Sequence, residues 1–276
     1  MKRILFPTDY SERSHHALAY AVQLCERMNA ELILFHACHI NTFAYQLMTE
    51  ETDEEFILDQ AKKQLNQYCL DHSTELNAIK ITQIVEYGLA VDAIKDVARR
   101  LNIDLIVMGT KGAGSLETKL IGSNTVRVIE KAEIPVLAIP EQSTFKAFKK
   151  IAYATDYRDP DTESISRLSE FASLFNAEII VVHVAEFLMP ANYENALFDV
   201  FIEQVRKTVL YKNLSFHILK GLSKSKTFNE FTHENNIDLI AVSTRKKNIF
   251  TKMFDSGFTK KVAYHTEVPL LSFHAK

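Results

Sequence analysis

The chain has 276 residues, a length that suits two domains of ordinary size. Hydrophobic residues make up 47% and charged residues 24%, a globular balance that argues against an extended disordered chain. The formal net charge of −3 argues against a nucleic-acid partner, and no apolar stretch approaches the roughly 20 residues that a membrane span needs. We therefore expect neither nucleic acid nor membrane as a partner.

The cysteine content bears on the cellular compartment. Cys25, Cys38 and Cys69 form an odd number and contain no CxxC pair. This pattern argues against a disulfide framework and against a zinc site, and it favours a reducing environment. The expected location is the cytoplasm.

The first half alternates short apolar runs with amphipathic segments. The runs are continuous and rich in β-branched residues, as expected for strands that are covered on both faces. Leu18, Val22 and Cys25 lie on one stripe of a helix between the first two runs. The stretch 50–68, rich in Glu, Asp and Lys, predicts a solvated covering helix. In chain order the predicted strands are Ile4–Phe6, Leu32–Phe35, Ile79–Val85, Leu105–Met108 and Val136–Ile139.

The second half repeats the first. The segment Lys2–Tyr10 recurs as Lys149–Tyr157, and Asn29–His36 recurs at the same offset as Asn176–His183. Later matches have a smaller offset, so the second copy lacks residues between its second and fourth strands. Strand–helix alternation of this kind predicts two tandem, doubly wound α/β domains with parallel sheets. The predicted domains span residues 1–142 and 148–276.

Glycine and acidic residues follow the strands at the edge where a ligand would bind. Ligands of such sheets lie beyond the carboxyl ends of the strands, where the strand order reverses. Asp9 follows the first strand, a loop with Gly109 and Gly112 follows the fourth, and Gly122 opens the next helix. Glycines let main-chain N–H groups approach an anion, and a helix N-terminus favours phosphate. The loop is not a P-loop, because Ser115 stands where the lysine is required.

Two residues near the first strand also have structural explanations. Asp9 can accept a hydrogen bond from a ribose hydroxyl, or it can cap the first helix or stabilise its loop. Both roles stay open, because the equivalent Asp156 persists in a half that has lost the glycines. His36, repeated as His183, fits a structural histidine better than a metal ligand. No residue is assigned as a metal ligand or as a catalytic group.

The spacing Gly109-x2-Gly112-x9-Gly122-Ser123, with Asp9 after the first strand, resembles the ATP-binding pattern of the universal stress protein family. The resemblance covers essentially the whole chain, as a tandem pair. It implies a five-stranded parallel sheet in each domain, ATP at the loops after the first and fourth strands, and pairing of the two domains through their fifth strands. The implied adenosine contacts are Thr8, Asp9, Ala37 and Met108, and the implied phosphate contacts are Gly109, Gly112, Gly122, Ser123 and Asn124.

The second half departs from this pattern at the phosphate loops. Side chains replace the glycines, so they would occupy the space where phosphate meets the main chain, and one of them adds a negative charge. We therefore expect ATP in the N-terminal domain only, with the second cleft open to a smaller or different ligand. The replacements are Ser243 for Gly109, Lys246 for Gly112, and Asp255-Ser256-Gly257 for Ile121-Gly122-Ser123.

Three functions remain open. The leading one is an ATP-binding, stress-related regulatory protein with little or no catalysis, because the phosphate site lacks an arginine finger, a P-loop lysine and a water-activating base. The alternatives are a slow ATPase or nucleotidyl-transfer enzyme, aided by Asp9 or Ser123, and an interaction scaffold without nucleotide. Mg²⁺ or Mn²⁺ is expected to accompany ATP. A homodimer and an unknown protein partner are compatible with the sequence.

Overall fold

The computed structural model describes residues 2–39, 54–110, 122–157, 159–185, 190–245 and 268–275. These residues fall into two compact units that divide after Glu141. Within each unit five strands pair in parallel, and helices connect them. The predicted α/β fold class is therefore confirmed, while the exact domain bounds stay a prediction.

The first unit contains five strands and five helices within the described ranges. Its elements in chain order are β1 (Arg3–Pro7), α1 (Glu12–Met28), β2 (Glu31–Cys38), α2 (Glu54–Asp71), α3 (Ser73–Leu76), β3 (Ile81–Tyr87), α4 (Ala90–Arg100), β4 (Leu105–Gly109), α5 (Ser123–Lys131) and β5 (Val136–Ile139).

The second unit repeats the order of the strands, with shorter connections on both sides of its second helix, where the sequence comparison places the missing residues. Residues 246–267, between its last two strands, lie outside the described ranges. Its elements in chain order are β6 (Lys150–Ala154), α6 (Asp159–Ser173), β7 (Glu178–Ala185), α7 (Ala191–Thr208), β8 (Leu214–Lys220), α8 (Lys224–Glu234), β9 (Leu239–Arg245) and β10 (Leu270–Ala275).

The strand order places two loops side by side in each unit. In the first unit the order is β3-β2-β1-β4-β5, and in the second it is β8-β7-β6-β9-β10. The chain therefore moves outward from β1 through β2 to β3 and then returns to the other side of β1 with β4. The order reverses between β1 and β4, which is where doubly wound sheets bind ligands.

The central strands are buried on both faces because helices cover the sheet on both sides. Ile4, Leu5 and Phe6 of β1 are each fully buried, as is the equivalent Tyr153 of β6. Successive side chains of a strand point to opposite faces, so full burial along the strand requires cover on each. The continuous apolar runs of the sequence are explained by this double cover.

Two predicted elements differ from the structure. The strand predicted at Ile79–Val85 lies at Ile81–Tyr87, because the Ile79 N–H donates to the Leu76 carbonyl at 3.2 Å and extends the turn that ends α3. The helix predicted as solvated carries a buried stripe, since Ala61, Leu65 and Tyr68 of α2 face the sheet side. Their spacing of four and three residues is that of one helix face, which the surrounding charges obscured in the sequence.

Turn residues confirm the internal repeat at the level of the backbone. Asn29 and Asn176 have φ values of 48° and 53°, and Asn102 and Asn236 have values of 49° and 52°. Asparagine tolerates the left-handed conformation that commonly ends a helix. Among the helices of the described ranges, none combines the length and apolarity that a membrane crossing requires.

Candidate functional site

Hydrogen bonds of Thr8 hold the loop after β1. The buried Thr8 hydroxyl lies 3.2 Å from the Ser14 hydroxyl and accepts the Tyr10 N–H at 3.0 Å. The Thr8 N–H donates to the Phe35 carbonyl at 2.9 Å. Tyr10 has a φ of 62°, which is uncommon for a residue other than glycine, so these bonds maintain a strained turn. Thr8 is therefore a structural part of the predicted adenosine site.

Asp9 is exposed at the tip of this turn. Its Oδ1 accepts the Ser11 N–H at 3.2 Å and the Ser11 hydroxyl at 2.6 Å. Ser11 in turn caps α1, because its Oγ accepts the Ser14 N–H at 3.3 Å. The loop-stabilising role considered for Asp9 is thus observed. The contact of Asp9 with a ribose hydroxyl stays a prediction.

His36 and Tyr10 stack beside the same loop, with ring centroids 4.3 Å apart. The His36 Nδ1 lies 2.9 Å from the Thr8 carbonyl oxygen, and because a carbonyl only accepts, Nδ1 carries the proton. Burial lowers the pKa of His36, although the Thr8 carbonyl and Asp9 oppose that shift. The structure confirms a structural histidine. Ala37 follows it in β2 and is half-buried.

Two hydrogen bonds attach the start of α5 to the end of β4. Met108 is buried within β4, and Gly109 ends the strand. The buried Thr125 hydroxyl donates to the Gly109 carbonyl at 2.9 Å. The Gly122 N–H donates to the Thr110 carbonyl at 2.5 Å. These bonds fix the beginning of the helix directly beyond the strand.

The N-terminus of α5 presents main-chain amides at this edge of the sheet. Gly122 is the N-cap, with φ −62° and ψ 148°, and it has no side chain that could accept from the helix. Ser123 and Asn124 follow it and are exposed. The first N–H groups of a helix have no acceptor within the helix and coincide with the positive end of its dipole. The arrangement suits a phosphate group.

The strand order brings these loops together. Because β1 lies between β2 and β4 in parallel, their carboxyl ends meet at one edge of the sheet. Gly112 lies outside the described residues. The predicted site residues placed at this edge are Thr8, Asp9, Ala37, Met108, Gly109, Gly122, Ser123 and Asn124.

A carboxylate is buried at the corresponding strand end of the second unit. Asp161, on α6, accepts the Tyr153 hydroxyl at 2.9 Å, the Thr155 hydroxyl at 2.7 Å and the Asp156 N–H at 3.2 Å. The position of Asp161 in the repeat is that of Ser14 in the first unit. Burial, followed by the nearby carboxylate, raises the pKa of Tyr153 well above its ordinary value. The two strand ends are therefore chemically different despite their common fold.

A second buried acidic group lies beside the repeated histidine. The His183 Nδ1 lies 2.8 Å from the Thr155 carbonyl, and its Nε2 lies 2.8 Å from Glu194 Oε1. Both side chains are less than a tenth exposed, and the Tyr157 ring stacks on the imidazole at 3.9 Å. Since Nδ1 donates to a carbonyl, the Nε2–carboxylate contact must hold a further proton. The buried stripe of α7 begins with Glu194, whereas the matching buried stripe of α2 begins with Ala61.

Several residues that make these contacts were not found from the sequence. Nothing in the local sequences of Thr125 and Ser14 indicates the groups that they contact. Asp161 could have been noticed as the acidic replacement of Ser14 at a constant offset of 147 between the repeats. The second unit's replaced phosphate loop lies outside the described residues, from Lys246 to Asp255-Ser256-Gly257.

Comparison with known proteins identifies the family. The model of the universal stress protein family matches residues 1–140 and again residues 147–274. Universal stress protein MJ0531 of Methanocaldococcus jannaschii is 31% identical over 148 residues, which cover 50% of this chain and 81% of that protein. Universal stress protein MJ0577 of the same organism is 26% identical over 159 residues, which cover 52% of this chain and 97% of that protein.

A solved structure shares the tandem architecture over the full length. The crystal structure of a universal stress protein from Archaeoglobus fulgidus DSM 4304 covers 99% of this chain and 98% of its own, with a TM-score of 0.77. At 18% sequence identity this likeness concerns the fold alone. The two matches of the family model span nearly all of the sequence, in the same order as the two structural units. The chain therefore belongs to the universal stress protein family and carries two of its domains in tandem.

Proposed function

We propose that this protein binds ATP in its N-terminal domain, together with Mg²⁺ or Mn²⁺, and serves as a stress-related regulatory protein rather than as an efficient enzyme. The observation that carries the proposal is the start of α5. Gly122 caps the helix without a side chain, directly beyond β4, and the exposed Ser123 adds a hydroxyl donor. Main-chain amides at a helix N-terminus bind phosphate without needing a basic side chain.

The neighbouring loop supplies a complementary group for the nucleoside. Asp9 lies beyond β1, the strand next to β4, and its carboxylate is exposed. A carboxylate is a suitable acceptor for ribose hydroxyls. The Thr8–Ser14 and Asp9–Ser11 hydrogen bonds hold this loop in one conformation before a ligand arrives. A preorganised loop loses less conformational entropy on binding, which favours affinity.

The second domain is proposed to lack ATP. Asp161 and Glu194 place two carboxyl groups at its strand ends, where the first domain has Ser14 and an apolar residue. Phe198 of α7 packs near Tyr157, with ring centroids 5.5 Å apart, whereas the matching position in the buried stripe of α2 is Leu65. The buried Asp161 carboxylate and the larger aromatic side chain both oppose a nucleotide, in agreement with the replaced glycines of the sequence.

Binding without efficient turnover follows from the chemistry of the donors. Main-chain amides and a serine hydroxyl stabilise phosphate oxygens, but they do not activate a water molecule for attack. Asp9, on the neighbouring loop, accepts hydrogen bonds from Ser11. The proposal therefore assigns the bound nucleotide a regulatory role. Pairing of the domains through their fifth strands, a homodimer and an unidentified protein partner remain predictions from the sequence.

The direct experiment is to denature purified protein and chromatograph the small molecules that it releases. We expect adenine nucleotide in the supernatant, and we expect added Mg-ATP to raise the melting temperature. A free ligand concentration of about 100 times the dissociation constant stabilises the folded protein by about 2.7 kcal/mol. The shift in melting temperature is therefore measurable. If no nucleotide is released and millimolar Mg-ATP leaves the melting temperature unchanged, the interaction-scaffold alternative is supported instead.

A further inference from the structure

Three potential metal ligands converge on one side of α1. His15 lies in the first turn of that helix, whereas His72 lies between α2 and α3 and Glu75 lies within α3. Their ligating atoms all lie within 4.8 Å of one another. The His15 and His72 rings have centroids 4.5 Å apart, and the His15 Nε2 lies 3.6 Å from Glu75 Oε1. The tertiary fold thus assembles groups that are distant in the sequence.

Two atoms of this cluster are buried without a hydrogen-bond partner among the described residues. They are the Nδ1 of His15 and the Oε2 of Glu75. Buried polar atoms of folded proteins nearly always have a partner, and an exception commonly marks an ordered water molecule or an ion. An imidazole nitrogen and a carboxylate oxygen are both metal ligands. The described residues thus leave polar capacity on His15 and Glu75 that a ligand of the cluster can satisfy.

The chemistry of the three side chains also suits a metal ion. The imidazole rings of His15 and His72 offer nitrogen lone pairs, and Glu75 supplies a negative charge. The donor set of two imidazoles and one carboxylate occurs in zinc sites that keep a fourth position for solvent.

The ligating atoms must approach one another to bind zinc. Zinc–nitrogen bonds are about 2.0–2.1 Å long, so the ligands of one ion lie closer together than the present spacing. The His15 and Glu75 side chains are 40% and 39% exposed, which leaves room for rotation about their side-chain torsions. Their backbones are held on α1 and α3, so only the side chains need to move.

We propose that His15, His72 and Glu75 bind a zinc ion, with solvent as the fourth ligand, and that the ion links α1 to the corner between α2 and α3. This proposal departs from the expectation against a zinc site, which rested on the cysteines, because the cluster contains none. The pair His72 and Glu75 has the spacing H-x-x-E, which is visible in the sequence but uninformative without His15.

The test measures zinc on untagged full-length protein after chelation, dialysis against buffered zinc and removal of free metal. We expect one zinc ion bound through this cluster, and a higher melting temperature than that of the chelated protein. His72→Gln should lower zinc affinity by more than about 100-fold, since even residues behind the ligands contribute about 10- to 100-fold. His16→Gln is the matched control, because His16 is exposed and lies outside the ligand set.

A cobalt substitution separates binding from misfolding. Tetrahedral Co²⁺ has intense visible absorption, so the wild type and His16→Gln should show it and His72→Gln should not. The chelated variants should all melt near the chelated wild type, which shows that they fold. The proposal is overturned if wild type binds no zinc, or if His72→Gln, His15→Gln and Glu75→Gln each retain wild-type zinc affinity. Neither result depends on whether the protein binds nucleotide.

Discussion

Ser123→Glu is expected to weaken ATP binding by about 100-fold while leaving α5 at least as stable as in the wild type. The new carboxylate would stand at the helix N-terminus, where we place the phosphates. Two like charges about 4 Å apart near a protein surface repel by several kcal/mol, and solvent at this exposed position reduces that value. The same negative charge interacts favourably with the positive end of the helix dipole, which stabilises the helix by about 0.3–1 kcal/mol. Calorimetric titration and thermal melting measure the two effects separately.

Ser123→Gln is the matched control for this substitution. Glutamine has the same length and shape as glutamate but no charge. The Ser123→Gln variant should therefore lose only the contribution of the serine hydroxyl and retain most of the affinity for ATP. A variant that melts normally but does not bind identifies the helix start as the phosphate site. If Ser123→Glu binds ATP as tightly as the wild type, the phosphates lie elsewhere and the assignment of this site is wrong.

Asp161→Ala is expected to lower the free energy of unfolding of the second domain by about 2–4 kcal/mol. The buried carboxylate accepts hydrogen bonds from the hydroxyls of Tyr153 and Thr155, and Tyr153 is fully buried. Removing the acceptor leaves two buried donors unsatisfied, and each such group costs about 1–3 kcal/mol. Relief of the desolvated charge offsets part of that loss. Native-state hydrogen exchange at amides of β6 and α6 reports the stability of this domain separately.

The first domain provides the comparison for Asp161. Ser14→Ala, at the equivalent position, removes a hydroxyl that donates to the Ser11 carbonyl at 2.7 Å, and should cost about 1 kcal/mol. Adding Tyr153→Phe to Asp161→Ala should be less destabilising than the sum of the two single changes, because the tyrosine no longer needs an acceptor. Two results would contradict the hydrogen-bond network of Asp161. One is that the effects of Asp161→Ala and Tyr153→Phe on the free energy of unfolding are strictly additive. The other is that Asp161→Ala destabilises the protein no more than Ser14→Ala does.

The architecture could be predicted because it depends on local patterns. Continuous apolar runs indicate doubly covered strands, and the repeat at constant offset indicates a tandem pair. The glycine spacing around Gly109 and Gly122 indicates main-chain contacts to phosphate, because glycine removes the Cβ that would obstruct them. The misplaced boundary of β3 arose where an apolar residue, Ile79, belongs to the end of a turn.

The contacts that distinguish the two domains could not be predicted because they depend on which side chains meet in space. Glu194 of α7 contacts His183 of β7 only once the helix has packed against the sheet. The convergence of His15 with His72 depends on how α1 packs near the end of α2. Each of these residues has an ordinary local sequence. Long-range pairing, rather than residue type, determines their chemistry.

One titration tests the ATP proposal most directly: calorimetry of the nucleotide-free full-length protein with Mg-ATP. We predict one site per chain, greatly weakened by Ser123→Glu and unchanged by Asp156→Ala, because Asp156 belongs to the second domain. Asp156→Ala is a fair control, since the Asp156 side chain is exposed. Two sites per chain, or one site that Asp156→Ala removes and Ser123→Glu preserves, would contradict nucleotide binding at the N-terminal domain alone.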